Sequence, residues 1–113
     1  MSKYIEYIEN VQSIIEKIKT EGADSILKTA EVFKNALKND NNIYLFGTGH
    51  SHMLAEELFY RAGGLVKIQP ILNEPLMLHE SASYSTEIER QEGLAQSLFD
   101  EYGIKKDDVI VIV

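Results

Sequence analysis

The residues best suited to chemistry run from Gly47 to Ser51, a loop that follows the apolar run Ile43–Phe46 and precedes a helical pattern starting at His52. A buried strand that ends in glycines and hydroxyls before a helix directs several backbone N–H groups, and the positive end of the helix, toward one point. Such a point favours phosphate or another anion. The sequence therefore predicts a phosphate site, and the structural alternative is a plain turn in which Ser51 only caps the helix.

Two neighbouring carboxylates, Glu56 and Glu57, follow on the same predicted helix. Aldose–ketose isomerisation needs a group that removes a proton beside a carbonyl and returns it one carbon over, which a carboxylate near a phosphate loop can do. The structural alternatives are a solvated side chain for Glu56 and an ion pair between Glu57 and Arg61, one helical turn later. For Glu56 we favour the solvated side chain.

Three histidines accompany these groups. His50, inside the loop, either pairs with a phosphate or hydroxyl or fills the loop as a partly exposed ring. His52 and Glu56 are four residues apart, a spacing that lets both reach one metal ion from one helical face, although no metal site is predicted. His79, with Glu80 beside it, is predicted as an acid–base pair across the site, with polar surface as the alternative.

Hydrophobic periodicity places these residues on alternating helices and strands. Two helices come first, over about Ser2–Thr20 and from an N-cap at Asp24 to the cluster Asn39–Asn42. Next come the strand Ile43–Phe46, a helix from His52 to the pair Gly63-Gly64, and a strand over Leu65–Leu72. A surface loop is predicted over Asn73–Glu87, with a short helix near Leu76–His79. The last predicted elements are a solvated helix start over Glu87–Glu92, a helix ending at Gly103 and the strand Val109–Val113.

Continuously apolar strands that alternate with helices indicate a parallel sheet covered on both faces, a doubly wound α/β fold with three α/β/α layers. Pro70 removes one hydrogen-bond donor from its strand and favours a place at the sheet edge. Ile43–Phe46 is therefore the expected middle strand. Ligands of such sheets bind at the carboxyl ends of the strands, where the strand order reverses, and the Gly47–Ser51 loop would lie there.

Composition limits the classes of function. At 113 residues with 44% hydrophobic content, the chain can form one core, so we expect one domain or part of one. The formal net charge of −7 argues against nucleic acid or an anionic membrane as the main partner. The absence of cysteine excludes disulfides and thiolate ligands. No cofactor is predicted, because the loop lacks the third glycine of a dinucleotide fingerprint. Without an apolar signal core or membrane span, a cytoplasmic location is predicted.

The last run, Val109–Val113, is entirely β-branched. As a final strand it would leave an unpaired, uncharged edge, which natural sheets avoid because such an edge recruits other strands. We therefore expect the sheet to continue beyond residue 113. On this expectation, the 113 residues are the amino-terminal half of a longer protein.

In this order of elements, the strand 42–46, the loop Gly47–Ser51, the segment Ala55–Leu58 and the pair Gly63-Gly64 resemble the start of a sugar isomerase (SIS) domain of the phosphoheptose-isomerase-like branch. The resemblance covers nearly all of the chain, and the loop and Ala55–Leu58 are its motif-grade parts. It implies a flavodoxin-like sandwich with five parallel strands, of which residues 41–113 would supply three and residues 1–40 a helical hairpin. It also implies a homodimer or higher homo-oligomer formed through helices.

Carried over to this sequence, the resemblance implies that the loop binds a phosphorylated sugar. Thr48 and Ser51 would donate hydroxyl hydrogen bonds, and the glycine at position 49 would let its amide approach the ligand closely. Glu57, the second carboxylate of the Ala55–Leu58 segment, would be catalytic. The substrate-binding residues would be Gly47, Thr48, Gly49, His50 and Ser51.

Three functions remain open at this stage. The leading hypothesis is a phosphosugar isomerase in the full-length protein, with the 113-residue chain alone inactive. An etherase or deaminase acting on an amino-sugar phosphate would also use a helix carboxylate but would give an altered product. A non-enzymatic phosphosugar sensor would bind without turnover, so that replacing Glu57 by Gln would leave binding intact.

Overall fold

The computed structural model of the protein describes residues 2–113, which form two compact units, one ending at Lys34 and one from Asn35 to Val113. The first unit contains helix α1 (Lys3–Glu21) and most of helix α2 (Ala23–Lys38). Between them lies Gly22 alone, with helical backbone angles. Its N–H donates to the Ile18 carbonyl at 3.1 Å and its carbonyl accepts from the Ile26 N–H at 3.0 Å. A hairpin over residues 1–40 would need a reversing turn here, and Gly22 continues the helical path instead.

The apolar stripe predicted for α1 is present and exposed. No residue of α1 is buried. The stripe residues are between 37% and 58% exposed, and they are Ile5, Ile8, Val11, Ile15 and Ile18. A helix with an apolar stripe is normally stabilised by packing that stripe against a partner.

The second unit is built on three parallel strands, β1 (Ile43–Phe46), β2 (Ile68–Ile71) and β3 (Val109–Ile112). Their order is β2-β1-β3, so β1 is the middle strand, as the sequence predicts. The strand β2, which contains Pro70, pairs only with β1 within the described residues, and this confirms its predicted edge position. Because the order reverses at β1, the doubly wound α/β architecture is also confirmed.

Three further helices belong to this unit: α3 (His52–Leu58), α4 (Ala82–Ile88) and α5 (Leu94–Tyr102). The crossovers from β1 to β2 and from β2 to β3 run in opposite directions, so right-handed connections place α3 and α5 on opposite faces of the sheet. The core on the α5 face consists of Tyr44, Ile71, Leu76 and Leu98. On α3, Ala55 is buried. The three layers therefore form from the predicted alternation of elements.

Tyr102 fixes the end of β2. Its hydroxyl donates to the Leu72 carbonyl at 3.0 Å and accepts from the Leu72 N–H at 2.9 Å. Leu72 follows the last ladder residue of an edge strand, where backbone groups would otherwise lack a partner. This pair of hydrogen bonds connects α5 to the carboxyl edge of the sheet.

Two helices differ from the prediction. α3 ends at Leu58, well before Gly63-Gly64, because Phe59 is extended and Tyr60 has a positive φ of 54°. The segment predicted as a loop before Glu87 contains α4 instead. The Ser81 hydroxyl accepts from the Tyr84 N–H and begins this helix, which ends at Ile88, so the run that starts at Glu87 is a helix end rather than a helix start.

The amino ends of the strands are held together by Asp108, which precedes β3. Its carboxylate accepts hydrogen bonds from the Asn42 and Lys105 N–H groups, both at 2.9 Å. A third comes from the Asn41 amide at 3.4 Å. Burial alone would raise the pKa of Asp108, but these hydrogen bonds and the nearby Lys105 charge hold it below its ordinary value of 3.8.

We expect Asp108→Asn to destabilise the protein at neutral pH by about 0.5–1.5 kcal/mol, because the new amide has one acceptor oxygen for two backbone N–H groups that now bond to a carboxylate. A lowered pKa gives stabilisation that is complete above the ordinary value of 3.8 and is lost as the pH falls through the lowered value. The difference in free energy of unfolding between wild type and variant should therefore shrink at acid pH. Urea denaturation from pH 7 to pH 3 measures it, and a difference that stays constant over this range would contradict the assignment.

Candidate functional site

The loop from Gly47 to Ser51 leaves the carboxyl end of β1, the middle strand, at the point where the strand order reverses. β2 and β3 flank this strand, and their carboxyl ends lie at the same edge of the sheet because all three strands are parallel. This is the position at which doubly wound sheets bind their ligands. The predicted site residues of the loop are thus at the expected place in the fold.

Two glycines give the loop its path. Gly47 is buried, and a Cβ atom added there would lie 2.6 Å from the Ser51 carbonyl carbon. Gly49 has a φ of +54°, in the left-handed region that favours glycine. The chain then forms a single 3-10 turn, in which the Ser51 N–H donates to the Thr48 carbonyl at 3.0 Å. The loop therefore folds back closely on the end of β1.

The two loop hydroxyls have different surroundings. The Thr48 hydroxyl donates to Oε2 of Glu89 at 3.0 Å. The Ser51 side chain makes no capping hydrogen bond at the start of α3. The alternative in which Ser51 only caps the helix is therefore not what the structure shows.

His52 connects the loop to α3. Its side chain is only 12% exposed, and its Nε2 lies 3.2 Å from Oε2 of Glu56. The other ring nitrogen, Nδ1, contacts the carbonyl oxygen of Gly49. The imidazole ring therefore lies between two oxygen atoms, one on the loop and one on the helix. His52 thereby ties the left-handed residue of the loop to the first turn of the helix.

His79 comes close to the same loop. Its ring centroid is 6.4 Å from that of His52, and its Nε2 lies 3.7 Å from Oε1 of Glu80. The Leu78 side chain lies beside Gly49, at 3.7 Å from the position of an added Cβ. The segment after β2 therefore borders the loop after β1, as the predicted acid–base role of His79 requires. Both His79 and His50 are exposed to solvent.

Glu57, the predicted catalytic carboxylate, forms an ion pair with Arg61. Their Oε1 and Nη2 atoms are 2.8 Å apart, and both side chains are more than 60% exposed. This is the pair that the structural alternative expects. No hydrogen bond joins Glu57 to the Gly47–Ser51 loop within residues 2–113. Its catalytic role remains a prediction of the sequence.

Two polar residues at this edge of the sheet were missed by sequence reasoning. Glu89 was assigned to a solvated charge run, and its contact with Thr48 spans 41 positions, beyond any local spacing rule. Asn73 follows β2, and its side-chain oxygen is buried with no hydrogen-bond partner among the described residues. An unpaired buried oxygen calls for a donor from a ligand or water. The only feature of the sequence that could have indicated a functional role for Asn73 is its position directly after a strand.

A cavity of about 190 Å³ lies beside the loop. Thr48 and Glu89 supply polar groups to its lining, and Leu76, Leu94 and Leu98 supply much of its apolar wall.

Within residues 2–113, no group of three or more histidine, cysteine or acidic side chains is placed to hold a metal ion. In the same part of the chain, no helix is both long enough and apolar enough to cross a membrane.

A doubly wound sheet with a glycine- and hydroxyl-containing loop at its switch point is typical of α/β domains that bind ligands there. The sequence model of the SIS domain family matches residues 6–113. The chain therefore belongs to the SIS domain family, which confirms the resemblance drawn from the loop and the Ala55–Leu58 segment.

Similar proteins occur in several bacteria. A UPF0309 protein of Thermoanaerobacter pseudethanolicus is 45% identical over 111 residues, which cover 96% of this chain and 45% of that protein. UPF0309 proteins of Listeria innocua and Geobacillus kaustophilus are 43% and 41% identical, over 95% and 96% of this chain and 43% of each relative. The chain thus spans less than half the length of these relatives.

Proposed function

We propose that the Gly47–Ser51 loop binds the phosphate group of a phosphorylated sugar. The observation that carries this proposal is the position of the loop at the switch point of an SIS domain, with the Ser51 hydroxyl unused by the helix that follows. No hydrogen bond within residues 2–113 uses the backbone N–H groups of Thr48, Gly49 or His50. Several donors therefore remain for phosphate oxygens, which bind well to backbone amides and hydroxyls.

The activity that fits this site is interconversion of an aldose phosphate and a ketose phosphate by the full-length protein. A sugar held by its phosphate would lie over the carboxyl edge of the sheet, where the His52 and His79 ring centroids are 6.4 Å apart and Glu89 contacts Thr48. Proton transfer between adjacent carbons needs such groups and no redox cofactor. The cytoplasmic location remains a prediction of the sequence.

A homo-oligomer formed through helices is part of the same proposal. The apolar stripe of α1 supports it, because five aliphatic side chains on one helical face are more than one-third exposed. Such a face gains stability when another helix covers it. Sedimentation of the full-length protein, with and without a charge introduced at Ile15, would measure this association.

Product analysis tests the proposed activity. The full-length protein is incubated with aldose and ketose phosphates of five and six carbons and with glucosamine 6-phosphate, and the products are identified by NMR and mass spectrometry. An isomer of unchanged mass is the expected result. A product of altered mass would favour an etherase or deaminase, and phosphosugar binding without any product would favour a sensor.

A further inference from the structure

Glu89 is the one carboxylate that hydrogen-bonds to the Gly47–Ser51 loop in the described part of the chain. Its backbone is held by the end of α4, where its N–H donates to the Ser85 carbonyl at 3.0 Å. Ser85 is itself buried, and its hydroxyl donates to the Leu76 carbonyl at 2.8 Å. The carboxylate therefore extends toward the loop from a helix end that is anchored to the core of the unit.

The hydrogen bond from Thr48 constrains what both residues can do. A threonine hydroxyl has one proton to donate, so Thr48 cannot give it to Glu89 and to a phosphate oxygen at the same time. While this bond is present, Thr48 orients the carboxylate, and the phosphate is left to Ser51 and the loop amides. A carboxylate beside a phosphate weakens anion binding by repulsion, so binding alone gives no reason for Glu89 to be here.

The surroundings of Glu89 suit a group that handles protons. Glu89, which is exposed to solvent, lines the cavity of about 190 Å³ beside the loop together with Thr48 and several apolar side chains. Glu57 does not line this cavity and is paired with Arg61 at 2.8 Å. Of the two carboxylates, Glu89 is therefore the one placed next to space that a sugar can fill.

We propose that Glu89 is the carboxylate that moves the proton in the isomerisation, with Thr48 as the residue that positions it. The inference rests on the proposed function. Glu89 removes the proton from the carbon beside the carbonyl, and the C–H electron pair forms the double bond of an enediolate as the carbonyl electrons move to oxygen. Protonated Glu89 then returns the proton to the neighbouring carbon, while a hydroxyl proton passes from one oxygen to the other. No oxidant, reductant or second substrate is consumed.

The test is exchange of carbon-bound hydrogen for deuterium in heavy water, followed by proton NMR. The full-length protein is given glucose 6-phosphate, fructose 6-phosphate, ribose 5-phosphate and ribulose 5-phosphate. We expect Glu89→Gln to slow exchange about 100-fold or more, the usual range for loss of a general base. Its affinity for inorganic phosphate should be unchanged or higher. Gln can still accept the Thr48 hydrogen bond, so the variant should keep its fold.

Glu87→Gln is the matched control, since Glu87 is an exposed carboxylate on α4, two residues before Glu89, with no side-chain hydrogen bond in the described residues. Its exchange rate should equal that of the wild type. Thr48→Val should slow exchange with little change in phosphate affinity, whereas a phosphate-binding role for Thr48 predicts the reverse and would overturn this part of the proposal.

Two results would overturn the role of Glu89 itself. One is an exchange rate of Glu89→Gln within threefold of the wild type, which would be sharpest if Glu57→Gln lost exchange instead. The other is a wild-type protein that binds these sugar phosphates and exchanges none of them. Failure of the proposed binding function gives a different result. In that case the wild-type protein itself shows no affinity for phosphate or for sugar phosphates.

Discussion

Replacing Gly47 with alanine should abolish measurable phosphosugar binding and destabilise the protein by about 1–3 kcal/mol, the usual cost of overpacking a closely packed position. The new Cβ would lie 2.6 Å from the carbonyl carbon of Ser51 and 2.7 Å from both its carbonyl oxygen and its Cβ, closer than real Cβ contacts come. The atoms that it meets belong to Ser51 and are mostly backbone, so relief requires the loop itself to move. Calorimetric titration with fructose 6-phosphate and urea denaturation measure the two effects.

Gly63→Ala is the matched control for this prediction. Gly63 has a φ of +75° and no atom within 4 Å of an added Cβ, so alanine there would suffer only backbone strain, of about 1 kcal/mol. The two variants should lose similar amounts of stability, but only Gly47→Ala should lose affinity. Equal affinity in Gly47→Ala and wild type would show that the close turn at the end of β1 has no part in ligand binding.

Replacing Ser51 with alanine should weaken phosphosugar binding by about 10- to 100-fold, because a hydrogen bond to a charged group contributes about 1.5–3 kcal/mol. The free energy of unfolding should stay the same, since the Ser51 hydroxyl makes no capping hydrogen bond at α3. The change therefore separates ligand contact from structural support. Titration of both proteins with the same sugar phosphate gives the ratio of dissociation constants.

Ser13→Ala provides the comparison, because Ser13 is an exposed serine on α1, in the unit that does not contain the loop. Its affinity should match that of the wild type. If Ser51→Ala also binds with wild-type affinity, the hydroxyl does not contact the phosphate, and the SIS-type site proposed for this loop is wrong.

The strands and the loop could be predicted because their signals are local. Ile43–Phe46 is an uninterrupted apolar run that ends in a glycine, and Val109–Val113 is entirely β-branched, which favours strands. The helix before Gly103 shows an apolar stripe and a left-handed glycine at its end, which the structure places at φ +60°. In these segments, local preference and tertiary packing favour the same structure.

α4 could not be predicted because tertiary contacts override its local preference. Serine and threonine compete with the helical backbone for hydrogen bonds, so the run from Ser81 to Thr86 is typical of a loop. In the structure, Ser81 uses this property to cap the helix, and Ser85 is buried against the Leu76 carbonyl. A partner nine residues away thus decides the structure of the segment.

The site could be predicted only in part, for a related reason. The loop residues are consecutive, and glycine and hydroxyl chemistry marks them directly. Glu89 contacts Thr48, 41 positions away, from the end of α4, and the charge run around Glu89 gives no sign of this contact. Glu57, which the resemblance implies as catalytic, is paired with Arg61 at the spacing that ordinary helix electrostatics favours.

The most direct test of the central claim is a crystal structure of the full-length protein with fructose 6-phosphate bound. The proposal predicts the phosphate group at the carboxyl end of β1, with the Ser51 hydroxyl and the backbone N–H groups of the Gly47–Ser51 loop within hydrogen-bond distance of its oxygens. A phosphate bound at any other place, with this loop free of ligand, would contradict the account.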